Sequence, residues 1–286
     1  MWSFDTTAPI AAEVDIAAGS IHLIAGDQAE TMVTVNPANP SSKMDVEAAG
    51  KARVELSGSA LSVVVPKPGG ILSYVSFRDW GLVDVVIELP AGSSVEAKTG
   101  AGGVRADGDF GELGARSGAG DIHVDHAHAR RLASGAGRLT LGSSRGDAEL
   151  VTAGDMDIGT IEGSADVKNL NGRTRIGEVG GRLRVRSANG DISVGRAGND
   201  VAIRTANGSI EIAELVSGEV SLATASGALD IGIANGTSAW VDARTQFGQV
   251  RNDLEPTVGP EDTGAKVEIR ARTSFGDVHI HRSTTD

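Results

Sequence analysis

Apolar and polar residues alternate on both sides of a regularly spaced glycine through most of the chain. Val201 and Ile203 precede Gly208, for example, and Ile210 and Ile212 follow it. Such alternation predicts short strands that each bury one face. When the sequence is aligned on one anchor glycine per repeat, seven of the nine intervals are 17 to 19 residues long. The anchor glycines are Gly102, Gly120, Gly137, Gly154, Gly172, Gly190, Gly208, Gly227, Gly248 and Gly276.

Each repeat is predicted to form one coil, in which two strands meet at a tight corner. One coil cannot bury its own apolar face, so the coils must stack, with equivalent residues about 4.8 Å apart. Asn171, Asn189 and Asn207 stand directly before anchor glycines. Both residue types suit a corner, and stacked asparagine side chains can hydrogen-bond from coil to coil.

The predicted fold is an all-β, single-stranded β-solenoid (β-helix) of about ten coils of roughly 18 residues, with an irregular N-terminal β cap. Residues 1–94 are expected to start and cap the solenoid, and residues 95–286 to form its regular repeats within one continuous domain. No helical periodicity is evident. A proline- and glycine-rich stretch at 255–262 lengthens the last interval and is predicted to be an inserted loop.

The composition and charge of the chain exclude several kinds of core and of function. Cysteine does not occur in the sequence, and aromatic residues make up 3% of it, so neither disulfides nor ring stacking can organise the core. The formal net charge is −12, which argues against non-specific nucleic-acid binding. The N-terminal residues lack a basic and apolar export signal, and no apolar stretch is long enough to span a membrane, so we expect a cytoplasmic protein.

The segments at 117–124 and 187–194, which read SGAGDIHV and SANGDISV, resemble those of the bacterial "putative adhesin" family of β-strand-repeat proteins. The similarity extends from Val14 to Asp277. What the resemblance implies is a β-helix fold and no known enzymatic activity.

One outward position, four residues before the anchor glycine, is basic in seven repeats. Stacked like charges repel, so this basic column either binds an anionic ligand or is neutralised by acids such as Glu96, Asp166 and Asp242. Arg182 and Arg184 alternate with apolar residues beside it and make its densest part. The basic column consists of Lys98, Arg116, Lys168, Arg186, Arg204, Arg244 and Arg272.

Two groups of histidines are candidate metal ligands. His123 and Asp125 share an outward face near His126 and His128, while His279 and His281 flank Ile280. Histidines on short exposed strands are more often solvated than ligating, and we expect no bound metal or cofactor. Aspartates that follow anchor glycines, such as Asp121 and Asp191, lack the nonapeptide spacing of calcium-binding β-rolls.

The segment from Pro66 to Leu82 gathers aromatic residues with an arginine. This composition suits an interface hot spot, although a loop that caps the solenoid end would explain it equally well. The candidate interface residues are Tyr74, Phe77, Arg78 and Trp80.

No nucleophile elbow, phosphate loop, zinc motif or distinct acid pair is present in the sequence, so we expect no enzymatic activity. The first hypothesis is a scaffold or interaction protein whose rigid solenoid self-assembles or binds an unidentified protein. The alternative is a monomeric module that binds an anionic polymer, a membrane surface or an acidic protein through the basic column. Exposed apolar residues at the ends, such as Phe247 and Phe275, would favour self-assembly.

Overall fold

The computed structural model describes residues 1–66, 80–255 and 264–284. Strands make up 68% of these residues and helix 3%. The chain forms two compact units, Met1–Ser143 and Ser144–Asp286. In both units, strands one repeat apart pair in parallel, which confirms the predicted β-solenoid. No described helix is long and apolar enough to cross a membrane.

The first unit begins with a coil that lies out of chain order. Strand β2 pairs in parallel with β5 and β6 along one edge and with β7 and β8 along the other. Strands β3 and β4 cover β6 and β5 in antiparallel pairing, and β1 pairs antiparallel with β3. The strands are β1 (Trp2–Asp5), β2 (Ala11–Gly26), β3 (Glu30–Pro37), β4 (Arg53–Ser57), β5 (Ala60–Val65), β6 (Val83–Pro90), β7 (Ser94–Ala101), β8 (Val104–Ser117), β9 (Ile122–Ser134) and β10 (Leu139–Ser144).

The first unit also contains a helix that the sequence analysis did not predict, α1 (Lys43–Gly50). The Ser42 side chain caps it by accepting a hydrogen bond from the Asp45 backbone N–H. The buried Asp45 carboxylate also accepts a hydrogen bond from the Leu82 backbone N–H at 3.1 Å. Because a polar residue anchors this short helix, it carries no apolar periodicity that could have revealed it.

Coils of the second unit follow chain order up to β20, and then the order reverses. Strands β23 and β24 pair with β19 and β20, and β21 and β22 pair on the far side of β23 and β24. The last coil of the chain is thus inserted before its predecessor. The strands are β11 (Ala148–Thr152), β12 (Met156–Ile161), β13 (Ala165–Asn171), β14 (Thr174–Val179), β15 (Leu183–Asn189), β16 (Ile192–Ala197), β17 (Val201–Asn207), β18 (Ile210–Leu215), β19 (Gly218–Ser226), β20 (Leu229–Ile233), β21 (Ser238–Phe247), β22 (Val250–Asn252), β23 (Lys266–Phe275) and β24 (Val278–Arg282).

The core consists of columns of aliphatic side chains, one residue from each coil. Val167, Val185, Ile203, Leu222 and Ala271 are aligned by the strand register, and none is more than 1% exposed. Their neighbours along each strand point outward because side chains alternate between the two faces. Burial of the apolar columns therefore fixes which side chains form the solenoid's surface.

The anchor glycines form a second column at the corners. All of them except Gly154 have positive φ. A Cβ atom on Gly276 would lie 2.2 Å from the Gly227 carbonyl oxygen, and one on Gly248 would lie 2.1 Å from that of Gly276. The expected asparagine ladder is confirmed, since Asn207 donates to Asn189 at 3.0 Å.

Candidate functional site

The basic column of the second unit is continuous across the reordered coils. Strand register aligns Lys168, Arg186 and Arg204. It continues through Ala223 of β19 to the arginines of β23 and β21. Five of six successive coils thus carry a cation at this position, about 4.8 Å apart. The two arginines that complete it are Arg272 and Arg244, in that spatial order.

Several predicted basic residues are neutralised by nearby acids. The three acids expected from the sequence are in place, with Asp242 closest, 2.8 Å from its arginine. The pKa of Asp200 is lowered, first by the hydrogen bond from the Glu219 backbone N–H and then by Arg182. The pairs are Lys98–Glu13 at 3.0 Å, Arg116–Glu96 at 4.0 Å, Lys168–Glu149 at 3.2 Å, Lys168–Asp166 at 3.8 Å, Arg182–Asp200 at 3.3 Å and Arg244–Asp242 at 2.8 Å.

Four arginines of the second unit have no such acidic partner in the part of the chain that the structure describes. Within the described part of the chain, no acidic oxygen lies within 4.0 Å of Arg184, Arg186, Arg204 or Arg272, and all four are exposed. Arg184 and Arg186 flank the fully buried Val185 on β15, so both project from the same face. We call these four residues the arginine ladder. Two unit charges about 5 Å apart repel by about 1 kcal/mol even in water, so the arginine ladder favours an anionic ligand.

The predicted interface segment is described only at its two ends, residue 66 and residues 80–82. Trp80 is 9% exposed and packs against Ala17 and Ala18, with Ala101 beside them. This ring is part of the core of the first unit rather than an exposed contact. Tyr74, Phe77 and Arg78 lie outside the described residues.

The aspartates that follow the anchor glycines act within the backbone of the solenoid. The Asp191 carboxylate accepts a hydrogen bond from the Ser209 N–H of the next coil at 2.9 Å, and Asp121 accepts one from the Arg138 N–H at 2.7 Å. Each carboxylate satisfies an amide at a corner, where the strand ladder is interrupted. Their repetition is explained by coil stacking without a calcium ion.

Histidines of the first unit lie beside a cation. His123 contacts Asp125 at 3.1 Å, and Asp107 lies within ligand distance of both. However, Arg105 donates a hydrogen bond to Asp107 at 2.8 Å and already supplies the positive charge. Burial raises the pKa of Asp107, but hydrogen bonds from Arg105 and His22 outweigh it and lower the pKa overall.

Comparison with protein families gives a match along almost the entire solenoid. The profile of the Toastrack DUF4097 family matches residues 12–285. The chain belongs to this family. The resemblance noted from the 117–124 and 187–194 segments is thereby confirmed at the level of a bacterial adhesin-like domain of unknown function. No curated protein matches the sequence.

Three solved structures resemble this Toastrack chain over nearly its full length. A putative adhesin from Bacteroides fragilis is 11% identical with a TM-score of 0.36, and one from Parabacteroides distasonis is 10% identical with a TM-score of 0.30; each comparison covers 98% of this chain and 95% of the other. A putative lipid binding protein from Parabacteroides distasonis is 12% identical with a TM-score of 0.26, covering 98% and 96%. These scores are too low to transfer any property of those proteins to this chain.

Proposed function

We propose that this Toastrack protein is a non-enzymatic binding protein, and that its arginine ladder holds a linear, phosphate-bearing polyanion. The observation that carries the proposal is that four exposed arginines on stacked coils have no acidic partner among the described residues, in a chain of net charge −12. The cytoplasmic location expected from the sequence is part of the proposal.

The spacing of the arginine ladder suits a polymer better than a single small anion. Arg186 and Arg204 lie one coil apart, and Arg272 lies two coils beyond Arg204. The ladder therefore extends about 14 Å along the stacking direction. Guanidinium groups bind phosphate oxygens in a bidentate manner, which favours arginine over lysine for this purpose.

Charge reversal of two ladder residues should abolish most of this affinity. Arg186→Glu/Arg204→Glu is expected to weaken binding of long-chain inorganic polyphosphate about tenfold or more at low salt, because two attractive contacts become repulsive. Isothermal titration calorimetry measures the affinity. Circular dichroism should show the same secondary structure as the wild type, since both side chains are exposed.

Arg175→Glu/Arg196→Glu is a matched control, because it changes the net charge equally at two exposed arginines of the same unit. Arg175 is paired with Asp157 at 3.0 Å, and Arg196 with Glu214 at 3.5 Å. The control should retain most of the affinity. If both double variants lost the same affinity for polyphosphate, the effect would come from net charge alone. Unchanged affinity in Arg186→Glu/Arg204→Glu would refute the proposed site. Binding to anionic vesicles without binding to polyphosphate would indicate a membrane surface instead.

A second candidate function is end-on self-association through the coil formed by β21 and β22. Val250 continues the inward column of Leu229 and Val278, yet it is 46% exposed because no described strand pairs beyond β22. Phe247 and Phe275 stack with ring centroids 5.0 Å apart and remain more than half exposed. An open strand edge with apolar side chains can pair with a second copy of the chain.

Val250→Lys should shift the protein toward the monomer if this coil self-associates, since a charge would enter the shared interface. Sedimentation velocity across a dilution series measures the change. Val46→Lys, at a helix residue that is 48% exposed, is the control and should behave as the wild type. A wild type that is monomeric at every concentration would exclude this candidate.

A further inference from the structure

Three side chains on adjacent coils of the second unit converge on one point. Asp230 of β20 is paired in register with His279 of β24, and His281 follows two residues later. Ile280 between the histidines is fully buried, so both rings project from the outward face beside Asp230. One ligand atom from each of these three residues lies within 4.8 Å of the others. We call Asp230, His279 and His281 the histidine cluster.

The distances from Asp230 to the two histidines match those between ligands of one small ion. Asp230 Oδ1 lies 3.1 Å from His279 Nδ1 and 3.3 Å from His281 Nε2. Ligand atoms about 2.0 to 2.1 Å from a tetrahedral zinc ion are separated by about 3.3 Å. Asp230 Oδ1 is shielded from solvent and accepts no well-formed hydrogen bond from any described residue. The two nitrogens are thus close to this oxygen without directing a proton at it.

The other nitrogen of each ring is already committed as a donor. His281 Nδ1 lies 2.7 Å from the Arg282 carbonyl oxygen, which can only accept. His279 Nε2 lies 3.0 Å from an Asp253 carboxylate oxygen. The Asp253 carboxylate also accepts a hydrogen bond from Arg251 at 2.9 Å, and an ionised carboxylate can only accept. A neutral imidazole has one N–H group, so in the neutral form of each ring the nitrogen nearer Asp230 carries a lone pair.

We propose that Asp230, His279 and His281 form a binding site for a divalent zinc-type metal ion. Two imidazole nitrogens and one carboxylate oxygen suit zinc and related transition metals, whereas magnesium and calcium prefer oxygen ligands alone. Hydrogen bonds from the outer ring nitrogens to a carboxylate and a carbonyl are the usual means of orienting histidine ligands. The Asp107, His123 and Asp125 group is the weaker candidate, because Arg105 is already bound to Asp107.

The metal ion would join the inserted last coil to its neighbour. His279 and His281 belong to β24, and Asp230 belongs to β20, which precedes it in space. Because the ion binds only where the two strands are paired, it would stabilise the folded chain in proportion to the logarithm of its concentration above Kd. This inference is independent of the arginine ladder.

Calorimetric titration of ZnCl₂ into the untagged, chelator-treated chain tests the site. His279→Gln/His281→Gln is expected to lose one equivalent of bound zinc, or at least about tenfold in its affinity. The control His126→Gln/His128→Gln removes two histidines with the same spacing around the buried Ala127 and should lose none. Co²⁺ added to the wild type should give the visible bands of a tetrahedral site, and the His279→Gln/His281→Gln variant should lack them.

Thermal unfolding without metal establishes that both double variants fold. With zinc, the midpoint should rise in the wild type and the control but not in His279→Gln/His281→Gln. The inference is overturned if the wild type binds no zinc, if both double variants bind it as the wild type does, or if Mg²⁺ binds as tightly as Zn²⁺.

Discussion

Replacing Ile203 by aspartate is expected to prevent the chain from accumulating as a folded protein. Ile203 is fully buried and lies in register between Val185 and Leu222. A carboxylate there would have no water and no cationic partner in the apolar column. A buried, unpaired charge costs an amount comparable to the whole stability of a domain, about 5 to 15 kcal/mol. Soluble yield and circular dichroism after expression measure the outcome.

The same substitution one residue earlier is the control. Ala202 faces outward on β17 and is paired in register with Arg184 of the neighbouring coil. Ala202→Asp should fold normally, because its carboxylate would reach solvent and Arg184, which has no acidic partner among the described residues. A folded Ile203→Asp protein would contradict the inward assignment of this column, and an unfolded Ala202→Asp protein would show that the strand tolerates no carboxylate on either face.

Gly208→Ala is expected to lower the free energy of unfolding by about 3 kcal/mol or more, because two costs combine. Gly208 has φ of 141°, which is unfavourable for alanine. The added Cβ would also lie 2.1 Å from the Gly190 carbonyl oxygen of the neighbouring coil. Relief of that clash would require neighbouring coils to separate, which would weaken the strand pairing around β17. Urea unfolding followed by circular dichroism gives the value.

Gly236→Ala separates the cost of positive φ from the cost of the steric clash. Gly236 also has positive φ, at 81°, but a Cβ there would have no atom within 4 Å. This variant should lose only about 1 to 2 kcal/mol, the cost of left-handed backbone in alanine. If the two variants lost equal stability, close stacking of the anchor glycines would make no contribution.

The coil architecture was predictable because equivalent positions have the same structural role in every repeat, whether burial, a corner or a side-chain ladder. The alternation around Gly208, the buried column through Ile203 and the asparagine pair at Asn189 and Asn207 all repeat at one period. Their repetition predicted burial, corners and side-chain ladders, as the structure confirms. The outward direction of Arg184 and Arg186 followed from the same alternation.

Spatial order of the terminal coils could not be predicted in the same way. The coil that contains Ile269 and the coil that contains Val241 have the same pattern of inward apolar residues. Either of them could therefore stack on the coil of Val220, and the sequence alone does not show which one does. The structure places Ile269 next to Val220 and Val241 beyond it. The histidine cluster depends on this exchange, because it brings β24 beside Asp230. The sequence also could not show which arginines have no acidic partner among the described residues. That depends on the conformations of long side chains, which the period of the repeat does not determine. The division at residue 94 stays a prediction.

Titration of the wild type with polyphosphates of graded length tests most directly the claim that stacked coils align a linear anion site. The affinity should rise from orthophosphate through tripolyphosphate to chains that span the roughly 14 Å of the arginine ladder. For chains longer than that, the affinity of each bound chain should no longer increase with length. It should also fall as salt is added, because the contacts are exposed charges. Equal affinity for orthophosphate and long chains, or no binding of long chains at low salt, would contradict the account.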